Sequence, residues 1–265
     1  MIFRAVKTGL LLLLLTSTVA IANESRVNHP PEEKYVARSE KASHWFFEEM
    51  PRHLGHDLKE TFISPVILVW LSGGAITSIA SPQDDSWQQS LGPRHDPLGE
   101  TTGFFNQVGQ VYTLGGLALA TYATGRLFHE DKLALLGEVL IESLLLTEVM
   151  TLTLKYTTQR ERPDGSDSAS FPSGHAAGSF AMATGITEIY GPWAGIPAYA
   201  VASLVALSRL DDNKHFASDV LFGATIGTAF AMGTGRFHKK EKPQFFITPQ
   251  PVAGGWGIAV SRFFY

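Results

Sequence analysis

Three stretches of this 265-residue chain carry residue types suited to moving a phosphoryl group: Lys155-x6-Arg162-Pro163, Pro172-Ser173-Gly174-His175 and Ser208-Arg209-x5-His215-x3-Asp219. A phosphoryl group in transfer spreads negative charge over its equatorial oxygens, so catalysis rests on positioning and on fixed positive charge. Arg162 and Arg209 each present a planar fork that grips two oxygens, and Lys155 adds a point charge. Ser173 and Gly174 follow a polar loop and precede the helical run Ala176-Ala177-Gly178-Ser179-Phe180-Ala181. They are expected at a helix N-terminus, where free backbone N–H groups bind phosphate oxygens. There Gly174 lets the backbone come close, and the Ser173 hydroxyl adds a donor. His175 would lie beside the leaving oxygen, where a general acid is needed. His215 and Asp219, four apart, share one helical face. If Asp219 accepts the Nδ1–H of His215, the Nε2 is free to attack phosphorus. Each motif alone also fits a plain structural role: surface cations, an N-cap turn, a His–Asp pair. Their joint occurrence favours one site.

The bulk properties narrow the class. The net charge is −4, from 21 Lys+Arg and 25 Asp+Glu, which argues against a general nucleic-acid binder. With no cysteine, disulfides, thiolate zinc sites and cysteine-held clusters are excluded. Residues 1–22 read as an export signal: Arg4 and Lys7, then a leucine run, then Ala20-Ile21-Ala22 as a small-x-small cleavage site. A retained membrane anchor is the other reading. The expected location is therefore the periplasm, or a membrane facing it.

The elements that must position these residues are helices. Residues 23–60 read as a polar arm with one short amphipathic helix from about His44 to Leu58. In it Trp45-Phe46-Phe47 either pins the arm to the domain or touches a membrane surface. Residues 61–240 hold apolar segments of helical length: Phe62–Ala80, Phe104–Leu127, Leu133–Tyr156, His175–Tyr190, Trp193–Ser208 and Ser218–Phe237. Gly, Pro, Asp and Asn clusters separate them. Residues 241–265 read as a hairpin tail around Ala253-Gly254-Gly255. Glu138, Glu142 and Glu148 interrupt the leucine-rich third segment, and a charge at a span centre costs roughly 2.5–3.5 kcal/mol. A soluble or peripheral domain is thus expected ahead of a multi-span one. Oligomeric state is left open.

The joint pattern resembles the signature of the type 2 phosphatidic acid phosphatases, which share a fold with bacterial acid phosphatases and vanadium haloperoxidases. The resemblance covers roughly Leu133 to Phe237, and every specified motif residue matches. The Asp164–Phe171 stretch is short for the family, which bears on the pocket rim. The resemblance implies an all-α, six-helix bundle of the acid phosphatase/haloperoxidase type; the small C-terminal β-hairpin lies outside it. It implies that His215 is the nucleophile that forms a phosphohistidine and that Asp219 orients it. His175 would protonate the leaving alcohol and then activate water. Lys155, Arg162, Arg209, Ser173 and Gly174 would hold the phosphate. No metal or cofactor is implied for a phosphatase; in the haloperoxidases vanadate replaces phosphate. The expected activity is hydrolysis of phosphomonoesters or diphosphates, with a phosphorylated lipid ahead of a small phosphomonoester as substrate. A broad-specificity soluble acid phosphatase, a vanadium haloperoxidase and a non-catalytic phosphate- or lipid-binding protein are the alternatives. Rim specificity is expected from Ser81–Thr102 and Pro163–Ser170. His44, His53 and His56 match no standard metal spacing and read as solvated; His95 reads as part of a turn.

Overall fold

A computed structural model describes residues 45, 49–63, 65–91, 98–241, 244–252 and 255–263. The export signal, most of the arm, His95 and the tail's turn residues Ala253 and Gly254 lie outside the described residues. From Met50 to Glu241 all described regular elements are helical. They are α1 (Met50–Ile63), α2 (Ile67–Ala80), a 3-10 turn (Ser81–Gln83), α3 (Asp84–Leu91), a second 3-10 turn (Gly99–Thr101) and α4 (Thr102–Val108). The long helices follow: α5 (Val111–Leu127), α6 (Asp131–Thr158), α7 (Gly174–Tyr190), α8 (Pro192–Asp211) and α9 (Ala217–Glu241). Strands β1 (Gln244–Val252) and β2 (Gly255–Phe263) pair antiparallel, with Val252 opposite Gly255.

The described residues hold more helices than the six expected. The segment Phe104–Leu127 breaks at Gly109-Gln110, where Gln110 is extended (ψ 139°) and α5 restarts. The break serves packing: a Cβ on Gly109 would come 2.9 Å from His175 Cδ2 and would also strike Val205. The short α3 brings Asp84 to the bundle, and α1 buries Asp57 and Thr61. His53 on α1 is not solvated as its spacing suggested. It lies 3.1 Å from the fully buried Glu142. His56 is exposed but stacks on Phe237. Trp45 is buried and stacks on Tyr122 at 5.0 Å.

Helix α7 packs against α6, α8 and α9. Its sequence permits this because its buried face is made of small residues: Ala176, Ala177, Gly178, Ala181, Ala183 and Gly185. The approach of α9 is closest. A Cβ on Gly227 would run into the Ala177 carbonyl oxygen and lie 2.8 Å from the Ala181 nitrogen; one on Gly223 would strike the Ser173 carbonyl oxygen. Larger residues fill the outer layers, with Ala118, Leu133, Leu136 and Leu140 between α5 and α6, and Leu146, Ile226 and Phe230 between α6 and α9.

The acidic residues of α6 do not interrupt an outward face. Glu142 is fully buried, and Glu138 pairs with Arg126 at 2.6 Å. The outward side of α6 is apolar instead, with Leu145, Val149, Leu152 and Tyr156 exposed. Leu68, Leu71, Ile76 and Ile79 form a similar stripe on α2. By length and composition, α8 is long and apolar enough to cross a membrane.

The contact between α7 and α9 yields a paired test. Gly227→Ala is expected to destabilise the protein by about 1–3 kcal/mol or more, since backbone on the facing helix cannot yield as a side chain can. Gly116→Ala on α5, where a Cβ meets nothing, is expected to be neutral or stabilising by up to about 1 kcal/mol. Thermal denaturation of the two variants measures the contrast; equal effects would refute the tight contact.

Candidate active site

The structure brings the eight sequence-predicted residues to one end of the bundle. Helix α6 ends there because Gln159 adopts a left-handed conformation (φ 46°) and its N–H caps the Lys155 carbonyl. Lys155, in the last turn, points its Nζ into the following loop and donates to the Ala169 carbonyl at 2.5 Å. Burial, and then the charge of Arg162, push its amine down to about 8. The loop 159–173 carries Arg162, whose Nε donates to Asp167 at 2.6 Å and whose Nη1 donates to the Lys214 carbonyl at 3.1 Å. The same Nη1 lies 3.4 Å from His215 Nε2.

Ser173 is the N-cap of α7, its hydroxyl oxygen accepting the Ala176 N–H at 3.5 Å. That weak cap leaves the hydroxyl proton available. Gly174 opens the helix, and a Cβ there would make only ordinary contact with Thr151. Protein packing therefore does not demand glycine at this position. His175 sits in the first turn and donates a ring N–H to the Asn106 backbone. Its Nε2 is buried with no hydrogen-bond partner among the described residues. Burial, followed by the charges of Arg209 and His215, pushes its imidazole down to about 3.

Arg209, near the end of α8, is 5% exposed and donates to Asn106 Oδ1 at 2.7 Å and Asp212 at 2.8 Å. Its Nε is buried and unpartnered among the described residues. His215 lies in the short turn before α9. Burial pushes it down to about 4, opposed by Asp219 and reinforced by Lys155 and Arg162. Both histidines are therefore neutral at neutral pH, with Nε2 atoms able to accept a proton or attack an electrophile.

Asp219 departs from the simple pairing expected of it. Its Oδ2 is 3.8 Å from His215 Nδ1, an ion-pair separation beyond hydrogen-bond reach. That oxygen instead accepts from Ser170 Oγ at 2.5 Å and from the Phe216 N–H at 2.9 Å. The second contact is the carboxylate half of a capping box for α9. Burial opposes its charge, but His215, Ser170, Arg160 and the Phe216 N–H hold the carboxyl below its usual range.

Arg160 is the principal residue that sequence reasoning missed. Its Nη1 donates to Asp219 Oδ1 at 2.7 Å and to Ser218 at 2.8 Å, its Nη2 donates to Asp84 at 2.8 Å, and the guanidinium lies 4.1 Å from the Phe216 ring centre. The available signal was the second arginine two positions before Arg162. Asp84 had none: it lies far back in the chain and reaches the site only because α3 packs near α9, where it caps Ser218 at 2.9 Å. Asn106 and Ser170 were likewise unmarked.

This arrangement is an anion cage. Three cationic side chains, Lys155, Arg162 and Arg209, act on two neutral histidines, and three buried polar atoms there lack partners of their own: His175 Nε2, His215 Nδ1 and Arg209 Nε. Buried polar groups are rarely left so; an anion with several oxygens could satisfy the Arg209 Nε–H, while His215 Nδ1 faces Asp219.

Comparison with known proteins agrees with this geometry. Residues 137–243 match the model of the PAP2 superfamily. A lipid A 1-phosphatase of Porphyromonas gingivalis is 49% identical over 76 residues, which are 28% of this chain and 17% of that protein. The chain thus spans about a sixth of the length of that relative. The fold resembles the crystal structure of a transmembrane PAP2 type phosphatidylglycerolphosphate phosphatase from Bacillus subtilis. The TM-score is 0.57 at 22% identity, covering 66% of this chain and 96% of that one. It also resembles LpxE of Aquifex aeolicus, with TM-score 0.50 and 22% identity, covering 58% and 94%. The stretch that carries all three motifs, 137–243, belongs to the PAP2 superfamily.

Proposed function

We propose that this protein is an exported phosphatase that hydrolyses lipid phosphomonoesters or diphosphates through a phosphohistidine on His215. The observation that carries the reading is the pair of buried, neutral imidazoles inside one cage of cations. A binding site alone would need only the cations.

The chemistry follows from the positions. Arg162, Arg209 and Lys155 hold the phosphate oxygens together with the N–H groups at the start of α7 and the Ser173 hydroxyl. The His215 Nε2 lone pair attacks phosphorus as the bond to the leaving oxygen breaks. His175 gives that oxygen a proton, so the alcohol, or the phosphate of a diphosphate, leaves neutralised. His175 is neutral in the free cage, so its proton arrives with the substrate, whose negative charge offsets Arg209. Water then attacks the phosphohistidine while His175 takes its proton, the N–P bond breaks and inorganic phosphate departs. Asp219, fixed by Arg160, Ser170 and the Phe216 N–H, stabilises the charge that forms on His215.

A lipid substrate is favoured by an apolar cleft built from the helices that carry the cage. It has a volume of about 320 Å³ and a lining that includes Trp87, Phe180, Leu207, Leu210 and Val220. Leu210 and Val220 neighbour Arg209 and Asp219 in sequence, on α8 and α9. The exposed apolar stripes of α2 and α6 favour membrane association. The relatives named above include a lipid A 1-phosphatase and a phosphatidylglycerolphosphate phosphatase, and that supports the same class. Read as an export signal, residues 1–22 would put the site outside the cytoplasm, with residues 23–60 as an arm, 61–240 as the catalytic domain and 241–265 as a tail.

Protein purified from the membrane fraction is expected to begin at Asn23 by intact mass. In it, His215→Ala should lower turnover of phosphatidic acid by about 10³-fold or more and abolish the alkali-stable phosphoprotein seen after rapid quenching. Full activity in that variant would refute the nucleophile.

The cleft separates the lipid reading from that of a broad-specificity soluble enzyme. Ala224→Trp, which fills the cleft, is expected to slow a long-chain lipid phosphate by about tenfold or more while leaving a small aryl phosphate within about twofold. Equal loss on both substrates would favour the soluble reading.

The protonation states give a pH test. Folded-state values of about 4 for His215 and about 3 for His175 lie below the usual 6.5. Their neutral forms therefore contribute stability that is complete above about pH 6.5 and is lost as pH falls toward 4 and then 3, at up to about 1.4 kcal/mol per pH unit for each ring. The melting temperature of the native protein should fall more steeply between pH 6.5 and 4.5 than that of the His175→Ala/His215→Ala double variant. Parallel slopes would refute the neutral pair.

A further inference from the structure

Far from the cage, a second group of ionisable side chains meets inside the bundle. His53 and Asp57, four apart on α1, face Glu142 in the middle of α6 and His238 near the end of α9. We propose that His53, Asp57, Glu142 and His238 bind one divalent transition-metal ion of the zinc class, which clamps α1 to α6 and α9. The site lies about 28 Å along α9 from Asp219 at ~1.5 Å per residue, and its role is structural. The proposal does not rest on the phosphatase reading.

The geometry suits a metal. His53 Nδ1 lies 3.1 Å from Glu142 Oε1, and His238 Nε2 lies 2.6 Å from Glu142 Oε2. One ligand atom from each of these three residues lies within 4.8 Å of the other two. The imidazole rings stand at 88° with centroids 5.1 Å apart, so their nitrogens converge from different directions. Tetrahedral zinc with ligand bonds of about 2.0–2.1 Å separates its ligand atoms by about 3.3 Å, so small outward shifts admit the ion.

Asp57 supplies the independent observation. It is fully buried and lies against Glu142, and neither of its oxygens accepts a hydrogen bond from an N–H or hydroxyl group among the described residues. The charged groups acting on it are Glu142, His238 and His53. Two carboxyl groups side by side without water repel each other unless a cation stands between them, a shared proton or a metal ion. A doubly charged cation in place of that proton would neutralise both and would also engage the two imidazoles directed at Glu142. Two imidazole nitrogens with two carboxylate oxygens and no thiolate form a donor set for zinc or its neighbours. Phe237, 5.3 Å from the His53 ring, covers the cluster on one side.

The test uses the full-length, untagged protein in detergent. After chelator treatment, incubation with Zn²⁺ and removal of excess metal, elemental analysis is expected to find about one zinc per chain. Chelator should lower the melting temperature and Zn²⁺ restore it. Co²⁺ should give the visible bands of a four-coordinate site without thiolate. Glu142→Gln and His238→Gln are expected to lose the stoichiometric metal, whereas His215→Ala keeps it, which separates this site from the histidines of the cage. If His238→Gln does not fold, the chelator and Zn²⁺ responses of the native protein still decide. Zinc below about a tenth of an equivalent, with a melting temperature indifferent to chelator and Zn²⁺, would overturn the proposal, as would metal retained in Glu142→Gln or lost in His215→Ala.

Discussion

The backbones of α7 and α9 touch, and the arrangement of the site depends on that contact. Gly223 and Gly227 leave no room for a side chain against Ser173, Ala177 and Ala181. The Ser173 N–H then donates to the Asp219 carbonyl at 3.0 Å, joining the N-cap of one helix to the first turn of the other. Two motifs more than forty positions apart are thereby held at hydrogen-bond distance. His175 and His215 acquire their separation from this backbone junction rather than from any contact between their own side chains.

Electrostatics complete what packing begins. A cage of cations would repel itself in a buried site, and the protein counters this with acids placed behind the arginines. Asp212 stands behind Arg209, Asp167 behind Arg162, and Asp84 with Asp219 behind Arg160. Because Arg160 spends its fork on two carboxylates and the Ser218 hydroxyl, it orders Asp84 and Asp219 beside His215. Asp219 is correspondingly a structural hub whose 3.8 Å separation from His215 can shorten when the ring becomes charged.

Much of this was legible in the residues themselves. Helix existence followed from apolar length, and the start of α7 from Pro172-Ser173-Gly174 before an alanine-rich run. The set of cations and histidines that the fold brings to one end of the bundle followed from charge type and motif spacing. What stayed hidden depended on distant partners. No local pattern distinguishes Arg160 from Arg162, and nothing near Asp84 points to Ser218. The glutamates of α6 read as interruptions of an apolar segment because a one-dimensional pattern does not show that their facing helices supply His53, His238 and Arg126. The need for glycine at 109 was missed for the same reason: a Cβ there would collide with His175 and Val205, which no local pattern shows.

The loop between α6 and α7 is bonded to itself. Ser170 N donates to the Arg160 carbonyl at 2.9 Å, Arg162 N to the Asp167 carbonyl at 3.0 Å, and Gly165 N to the Arg162 carbonyl at 3.0 Å. Lys214 reaches across to Asp164 at 2.5 Å and ties the loop to the turn that carries His215. The conformational entropy of this segment is therefore lost when the chain folds. Arg162 is thus already in place, and an anion bound there would not have its binding free energy diminished by the ordering of a long loop.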